Sequence, residues 1–446
     1  MARNKPYEIV TAFFVFGVSI SISMLGSAPV RADGMPMPHV SSVDQRIDAT
    51  AQRAVLWLRG GAWEIHIQPV FDRARGKAAW VVPFPALAEV SQSNADLFRD
   101  LELLTSPVFI TYCTHDYDSG SGCSANDRAG SNQNGSGEKS GVAGSVKVWD
   151  QGEVGELTYV VLSASEGDDL VMWLETNGYV IPEGGESLIA DFETEGQFFF
   201  VAQLSEDADP SLPISPVRFQ LPDMETPLYP LRLTGLAVEP DQRLDLTLWV
   251  VYPDPGAPQE EGAIGFAPDS HPYEKLDGNP MDPDAYEQAV DTFFSERTPD
   301  HLLVEHGRPL GDWDSPVTQR ARCDSGNYYG VCASLDDLGY GDIVWSDEVQ
   351  EMDSAKSYVY RYTARLDPVA MEVDLTLGEM EWSWDNISRI TADNVFIEST
   401  GICGDEDDEE YVSCSVAKGL SFPGWFLLAL LALTMLLAVR RTRSKT

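Results

Sequence analysis

The amino-acid sequence predicts an α+β fold in which antiparallel sheet dominates. Three observations predict it. Leu244, Leu246, Leu248 and Val250 alternate with Asp245, Thr247 and Trp249, the period of two that a strand requires. Short runs rich in β-branched and aromatic residues recur between Gly, Pro and Asp clusters. Helical spacing is confined to a few short stretches, and no repeat of fixed period runs through the chain.

Taken in order, Arg3 and Lys5 precede an apolar run over 9–25, and Val30-Arg31-Ala32 supplies small residues for cleavage. Residues 1–32 thus read as a secretory signal peptide. From Asp33 to Tyr112 the pattern is mostly strand. Ile65 and Ile67 alternate with His66 and Gln68, which places His66 toward solvent. AAWVVPFP (78–85) reads as an extended edge strand because of its two prolines. Leu97, Leu101 and Leu104 share one face of a helix over 96–104 that begins at Asp96. Residues 114–145 form a Gly/Ser/Asn-rich loop. Strands resume over 146–162, a helix covers 168–177 with Gly178 at its left-handed cap, and 198–204 is a strand.

Three prolines and three acids mark 205–216 as a linker, dividing an N-terminal α+β subdomain (33–204) from a β-rich one (217–400). A Pro/Gly/Asp-rich connection over 253–283 leads to a helix over 285–294, and 358–377 gives two more strands. Residues 401–421, with GDEDDEEY at 404–411, read as an acidic stalk. Residues 422–439 read as a transmembrane helix, whose core of 425–439 spans about 22 Å at ~1.5 Å per residue, short of the ~20 residues of a permanent span. The basic tail 440–446 stays on the cytoplasmic side.

The net charge is −41. Residues 1–32 carry +2 and 440–446 carry +4, which leaves −47 between them. Such a surface repels nucleic acid, because counterion release needs cations facing phosphates. No phosphate-cradling loop is present either: GSGEKSG (135–141) lacks the GK[ST] order, so no nucleotide is expected. An acidic exterior favours solubility, divalent cations or a basic protein partner in the envelope.

Six cysteines fall as three close pairs, and in an exported chain the spacing suggests disulfides Cys113–Cys123, Cys323–Cys332 and Cys403–Cys414. Six cysteines admit many other connectivities. Asp116, Asp118, Gly120 and Gly122 resemble the start of a calcium loop, with Asp127 at its twelfth position. Asp277, Asn279, Asp282 and Asp284 are a weaker oxygen-rich cluster. Ordinary loop is the better reading of both clusters, so no cofactor is expected, and calcium is the alternative they leave open. His301, Glu305 and His306 miss the HxxEH zinc pattern by one residue, which rotates the first His off the shared face. Trp57, Trp63, Trp80, Trp149, Trp173 and Trp249 sit at apolar phase and read as core. No GxSxG elbow or SxxK motif marks a nucleophile, so no catalytic residue is assigned.

AQRAVLW (51–57), AAWVVPFPALAEV (78–90), DLFRDLELLTSPVFI (96–110), VGELTYVVLSASEGDDLVMWLETNGYVIP (154–182) and YPLRLTGL (229–236) resemble the bacterial domain-of-unknown-function family 2330, DUF2330. RCDSGNYYGVCASLDDLG (322–339) and SYVYRYTARLDPVAMEVDLTL (357–377) resemble its C-terminal portion. The resemblance implies a bacterial envelope context and no activity. Two departures stand out. The family's cysteine pair after the leader is missing from 32–45, and its later CxxC is here the wider Cys323–Cys332 spacing. The tail is similar to Gram-negative C-terminal sorting signals, in which Cys414 would be the residue of interest.

Together these readings predict an exported, membrane-anchored ectodomain with a structural or binding role. The alternatives are a calcium-dependent surface or adhesion module and a hydrolase with unidentified carboxylates.

Overall fold

The computed structural model describes residues 35–38, 51–68, 78–114, 146–164, 169–204, 214–254, 263–278, 280, 282–310, 344–381, 383–390, 392, 395–402 and 415–418. In chain order these give strands β1 (Met35–Pro38), β2 (Ala51–Arg59), β3 (Ala62–Gln68), β4 (Ala78–Phe84) and β5 (Glu89–Gln92), then helix α1 (Ala95–Thr105) and β6 (Val108–Thr114). Next come β7 (Lys147–Val154), β8 (Leu157–Ser163), α2 (Asp169–Thr176), α3 (Gly185–Thr194) and β9 (Phe198–Leu204). They are followed by β10 (Val217–Leu221), β11 (Leu228–Tyr229), the short α4 (Arg232–Gly235), β12 (Leu244–Tyr252), β13 (Ala263–Pro268) and β14 (Tyr273–Lys275). The last group is α5 (Pro283–Glu296), β15 (Leu302–Pro309), α6 (Asp347–Ser354), β16 (Tyr358–Leu366), β17 (Leu375–Glu381), α7 (Trp384–Ile390), β18 (Val395–Ile402) and β19 (Ser415–Lys418).

The organising element is an eight-stranded sheet of order β14-β15-β16-β12-β2-β3-β10-β5. A five-stranded sheet runs β1-β4-β9-β8-β7, and two three-stranded sheets run β11-β17-β13 and β18-β6-β19. Only the β2–β12, β14–β15 and β6–β18 pairs are parallel among the described strands. The α+β class and the dominance of antiparallel pairing therefore hold.

The division at 205–216 is not how the large sheet is built. β2, β3 and β5 from the first half lie in one ladder with β10, β12 and β16 from the second, and β2 pairs directly with β12. The proline-rich β4 is likewise no edge strand, since β1 lies on one side and β9 on the other. β1 covers only Ala78–Val81, so Pro83 pairs with Phe199 of β9 alone and its missing N–H disrupts nothing. Two parts of the expected acidic stalk are sheet: β18 reaches Ile402, and β19 at 415–418 pairs with β6. Strand pairing there draws on backbone groups, which a polar local sequence still supplies.

Both faces of the eight-stranded sheet are covered. On one face Leu56, Ile65, Ile67, Leu248, Val250 and Tyr362 join the main core, which extends to Trp80, Phe200 and Phe219. Trp80 meets Phe200 edge-on at 5.3 Å, a favoured aromatic geometry. On the other face Val55, Trp57, Trp249, Val251 and Val359 pack beneath α1 and α6. This second layer explains a correction. His66 is 2 % exposed instead of solvated, because the face it alternates onto is roofed by helices. Of the six tryptophans expected in the core, Trp57, Trp63, Trp80 and Trp249 are buried, and Trp149 and Trp173 pack against the core's margin.

Candidate functional site

The calcium candidates Asp116, Asp118 and Asp127 lie outside the described residues, as do both terminal apolar runs and Cys123, Cys323, Cys332, Cys403 and Cys414. Cys113 falls in β6. In the second oxygen-rich cluster, Asp282 is spent as the N-cap of α5, accepting from the Ala285 amide at 2.8 Å. His301, Glu305 and His306 stand near and on a strand rather than a helix, and no cluster of metal-ligating side chains occurs among the described residues. Among those residues no helix is long and apolar enough to cross a membrane.

The polar chemistry gathers instead beneath and between α1 and α6. Helix α1 starts at Asn94, whose side chain accepts from the Asp96 amide at 3.0 Å, one residue pair earlier than Asp96 suggested. Its inner face carries Leu97, Leu101 and Leu104 as the spacing requires, and also delivers Glu102. There Arg53 of β2 reaches Glu102 at 2.7 Å and Arg361 of β16 reaches its other oxygen at 2.9 Å. Arg361 also pairs with Glu305 at 3.0 Å. The β15–β16 register slips between Val304 and His306, so Glu305 is the extra residue of a bulge, which turns it onto Arg361, Thr363 and Tyr286. Both guanidinium groups lie over the Trp249 ring, at 5.3 and 5.8 Å. Burial pushes Glu102 up, but Arg361 and Arg53 outweigh it and hold the carboxyl below its usual range.

A second cluster occupies the same layer nearer the β5 edge. Glu64 and His66 alternate along β3, and Ser93 links β5 to α1. His66 Nδ1 lies 2.7 Å from Ser93 Oγ, and Nε2 makes a long contact of 3.4 Å with Glu64. Glu64 also faces Arg59 and Arg218, each at 3.7 Å. Arg59 stacks on Trp57 and is clamped by Glu351 of α6. Asn94 donates to Glu348 of α6 at 3.0 Å. Burial pushes the His66 imidazole below its ordinary value, against the pull of Glu64. For Glu64, burial acts upward, and the contact with His66 plus the charge of Arg218 bring it down. A neutral imidazole set between a hydroxyl and a carboxylate is the arrangement of an activated serine. Ser93, however, is only 5 % exposed and is not among the residues that line the adjoining groove.

Beside this cluster a groove of about 550 Å³ opens to solvent, lined on the α1 side by Asn94, Asp96, Arg99 and Leu103 and on the α6 side by Val344, Trp345, Ser346 and Asp347. Arg99 is held by Asp96 and Asp100, each at 2.7 Å, and donates to the Val344 carbonyl at 3.2 Å. Asp100 is fully buried, and its other oxygen accepts from the Ser346 amide at 2.6 Å, pinning the start of α6 to α1. These residues come from chain segments some 250 positions apart, so spacing could not unite them. The local signal was there: WSDE (345–348) places Ser before two acids, the signature of a helix start.

A family model described as "Uncharacterized protein conserved in bacteria (DUF2330)" matches residues 36–259, half of the chain. The resemblance noted over 322–339 and 357–377 lies beyond the matched segment. No curated protein and no solved structure matches the chain.

Proposed function

The chain belongs to the bacterial DUF2330 family, and from that premise we propose that it is an exported, membrane-anchored envelope protein whose ectodomain binds a ligand rather than transforming one. The observation that carries the binding role is the α1–α6 groove. It is open and lined by polar side chains, and Arg99 on its wall is held by Asp96 and Asp100. A binding site needs groups held in place; a catalytic one also needs a reactive group presented to the substrate. The order of leader, acidic body, apolar run and basic tail supports export and anchoring.

Fractionation of cells expressing the full chain with a tag at its C terminus tests this reading. The expected result is membrane-associated protein lacking residues 1–32, with its body open to protease added outside the inner membrane. Recovery of uncleaved chain in the cytosol refutes it.

One observation favours hydrolysis as the second reading, the Ser93–His66 contact at 2.7 Å with Glu64 behind it. Labelling by a fluorophosphonate probe that is lost in Ser93→Ala would establish it. The burial of Ser93 predicts no labelling.

A further inference from the structure

We infer that the folded body is seated directly on the lipid bilayer, with β19 tying it to the anchor and the Val108 end of β6 facing the headgroups; this rests on the anchored reading proposed above. A stalk would leave the last folded strand far from the apolar run. Instead β19 pairs antiparallel with β6, from Ser415 opposite Thr111 to Lys418 opposite Val108. Only residues 419–421 separate Lys418 from Phe422, where the apolar run begins. The four steps from Lys418 to Phe422 reach about 14 Å at full extension, so the bilayer entry lies within that distance of β19. β6 is itself built into the body. It pairs with β18 on its other side and follows α1 after Ser106 and Pro107 alone. The Ser106 hydroxyl accepts from Arg361 of β16 at 2.9 Å, which holds this junction to the large sheet.

The register and the charges together set which end faces lipid. β18 ends at Ile402, opposite Thr114, and β19 begins at Ser415, opposite Thr111. The chain between them therefore leaves and rejoins the sheet at the Thr111–Thr114 end, and it carries six consecutive acids, Asp405 to Glu410. Lys418 marks the other end, about 10 Å away along β19 at ~3.4 Å per residue. It is the one cation in the sequence between Arg389 and Arg440. With the Val108 end at the bilayer, the acids attach on the side away from anionic headgroups and Lys418 stands at headgroup level, where a lysine is favoured. The reverse seating would bring six carboxylates to the headgroups and make 419–421 run back past the sheet.

The test uses the full-length protein in vesicles of phosphatidylethanolamine and phosphatidylglycerol. Endoproteinase Lys-C, which cuts after lysine, is added and the vesicles are sedimented. The body is expected to stay with the vesicles, because Lys418 is paired in β19 and lies against lipid. Of two consecutive strand residues one donates to the neighbouring strand, so Val416→Pro/Ala417→Pro breaks the β19 ladder and should release the body about tenfold faster or more. Hydrogen exchange of the wild-type protein in the same vesicles gives a reading that does not depend on how the variant folds. Amides of 415–418 are expected to exchange about tenfold slower or more than those of 405–410. Equal release from wild type and variant, or exchange of 415–418 as fast as that of 405–410, overturns the inference. Protein that never sediments with the vesicles refutes the anchored reading and this inference with it, whereas a wild-type body that sediments and is then freed by Lys-C as fast as the variant refutes the seating alone.

Discussion

Replacing Arg361 with methionine isolates the energetics of the layer under α1. Arg361 is 8 % exposed, and its guanidinium satisfies Glu305, Glu102 and the Ser106 hydroxyl together. Methionine matches the stem and leaves Glu305, whose side chain is 7 % exposed, without a cation. Removing one partner of a buried pair costs about 3–5 kcal/mol, mostly the penalty of the stranded charge. Glu102 is more exposed and keeps Arg53 at 2.7 Å, so its share is small. For a body of this size the loss corresponds to roughly 4–6 °C in melting temperature. The double variant Arg361→Met/Glu305→Gln neutralises the stranded carboxylate and should regain about 1–3 kcal/mol over Arg361→Met alone. Circular-dichroism melting of wild type, both singles and the double closes the cycle. If Arg361→Met costs under ~1 kcal/mol, or the double equals the sum of the singles, the claim of a desolvated, coupled pair is refuted.

Four further outcomes follow from named contacts. His66 is held neutral in the fold with its affinity for protons depressed, so its contribution to stability is complete above the unfolded value of ~6.5 and is lost as pH falls below it. His66→Gln should flatten the pH dependence of the unfolding free energy in urea below about pH 6.5 by up to ~1.4 kcal/mol per pH unit, and an unchanged slope would count against a buried neutral imidazole. Gly265 has φ +143° and its missing Cβ would overlap the Tyr252 ring, so Gly265→Ala should cost about 2–5 kcal/mol in chemical denaturation; a neutral effect would contradict the close approach of β13 to β12. Asn94→Ala removes both the α1 cap and the link to Glu348 and should cost roughly 1–2 kcal/mol, whereas Asn94→Asp should keep the cap and lose the link. Calcium should raise the melting temperature only slightly and no more than magnesium, as charge screening requires; a saturable calcium-specific rise would restore the 116–127 loop as an ion site.

What the sequence disclosed follows from which interactions are local. The helix over 96–104, the cap at Gly178 with its φ of +83° and the strand over 198–204 were legible because each is set by neighbours a few residues away. The alternation at 244–250 gave β12 correctly, and the tryptophans' apolar phase placed Trp249 in the core. Trp249 is fully buried, but nothing local announced that the Arg53 and Arg361 guanidinium groups lie over its ring. His66 was misread because a period of two tells which residues share a face, and says nothing of whether a helix later covers it.

That limit also explains where the candidate site arises. A sheet buried on both faces has no solvated side on which to place its charges, so the arginines and glutamates of β2, β3, β15 and β16 must find partners within the helix layer. Arg59, Arg361 and Asp100 do so by reaching across segments distant in sequence: Arg59 to Glu351, Arg361 to Glu102, Asp100 to Ser346. The last two of these bonds also fix α1, one to the sheet and the other to the start of α6. Asp100 takes the Ser346 amide, while the enclosed Ser346 hydroxyl makes no hydrogen bond among the described residues. The same contact that closes the fold over the charged layer thus also fixes one wall of the groove, which opens to solvent where the Ser93–His66 pair is enclosed.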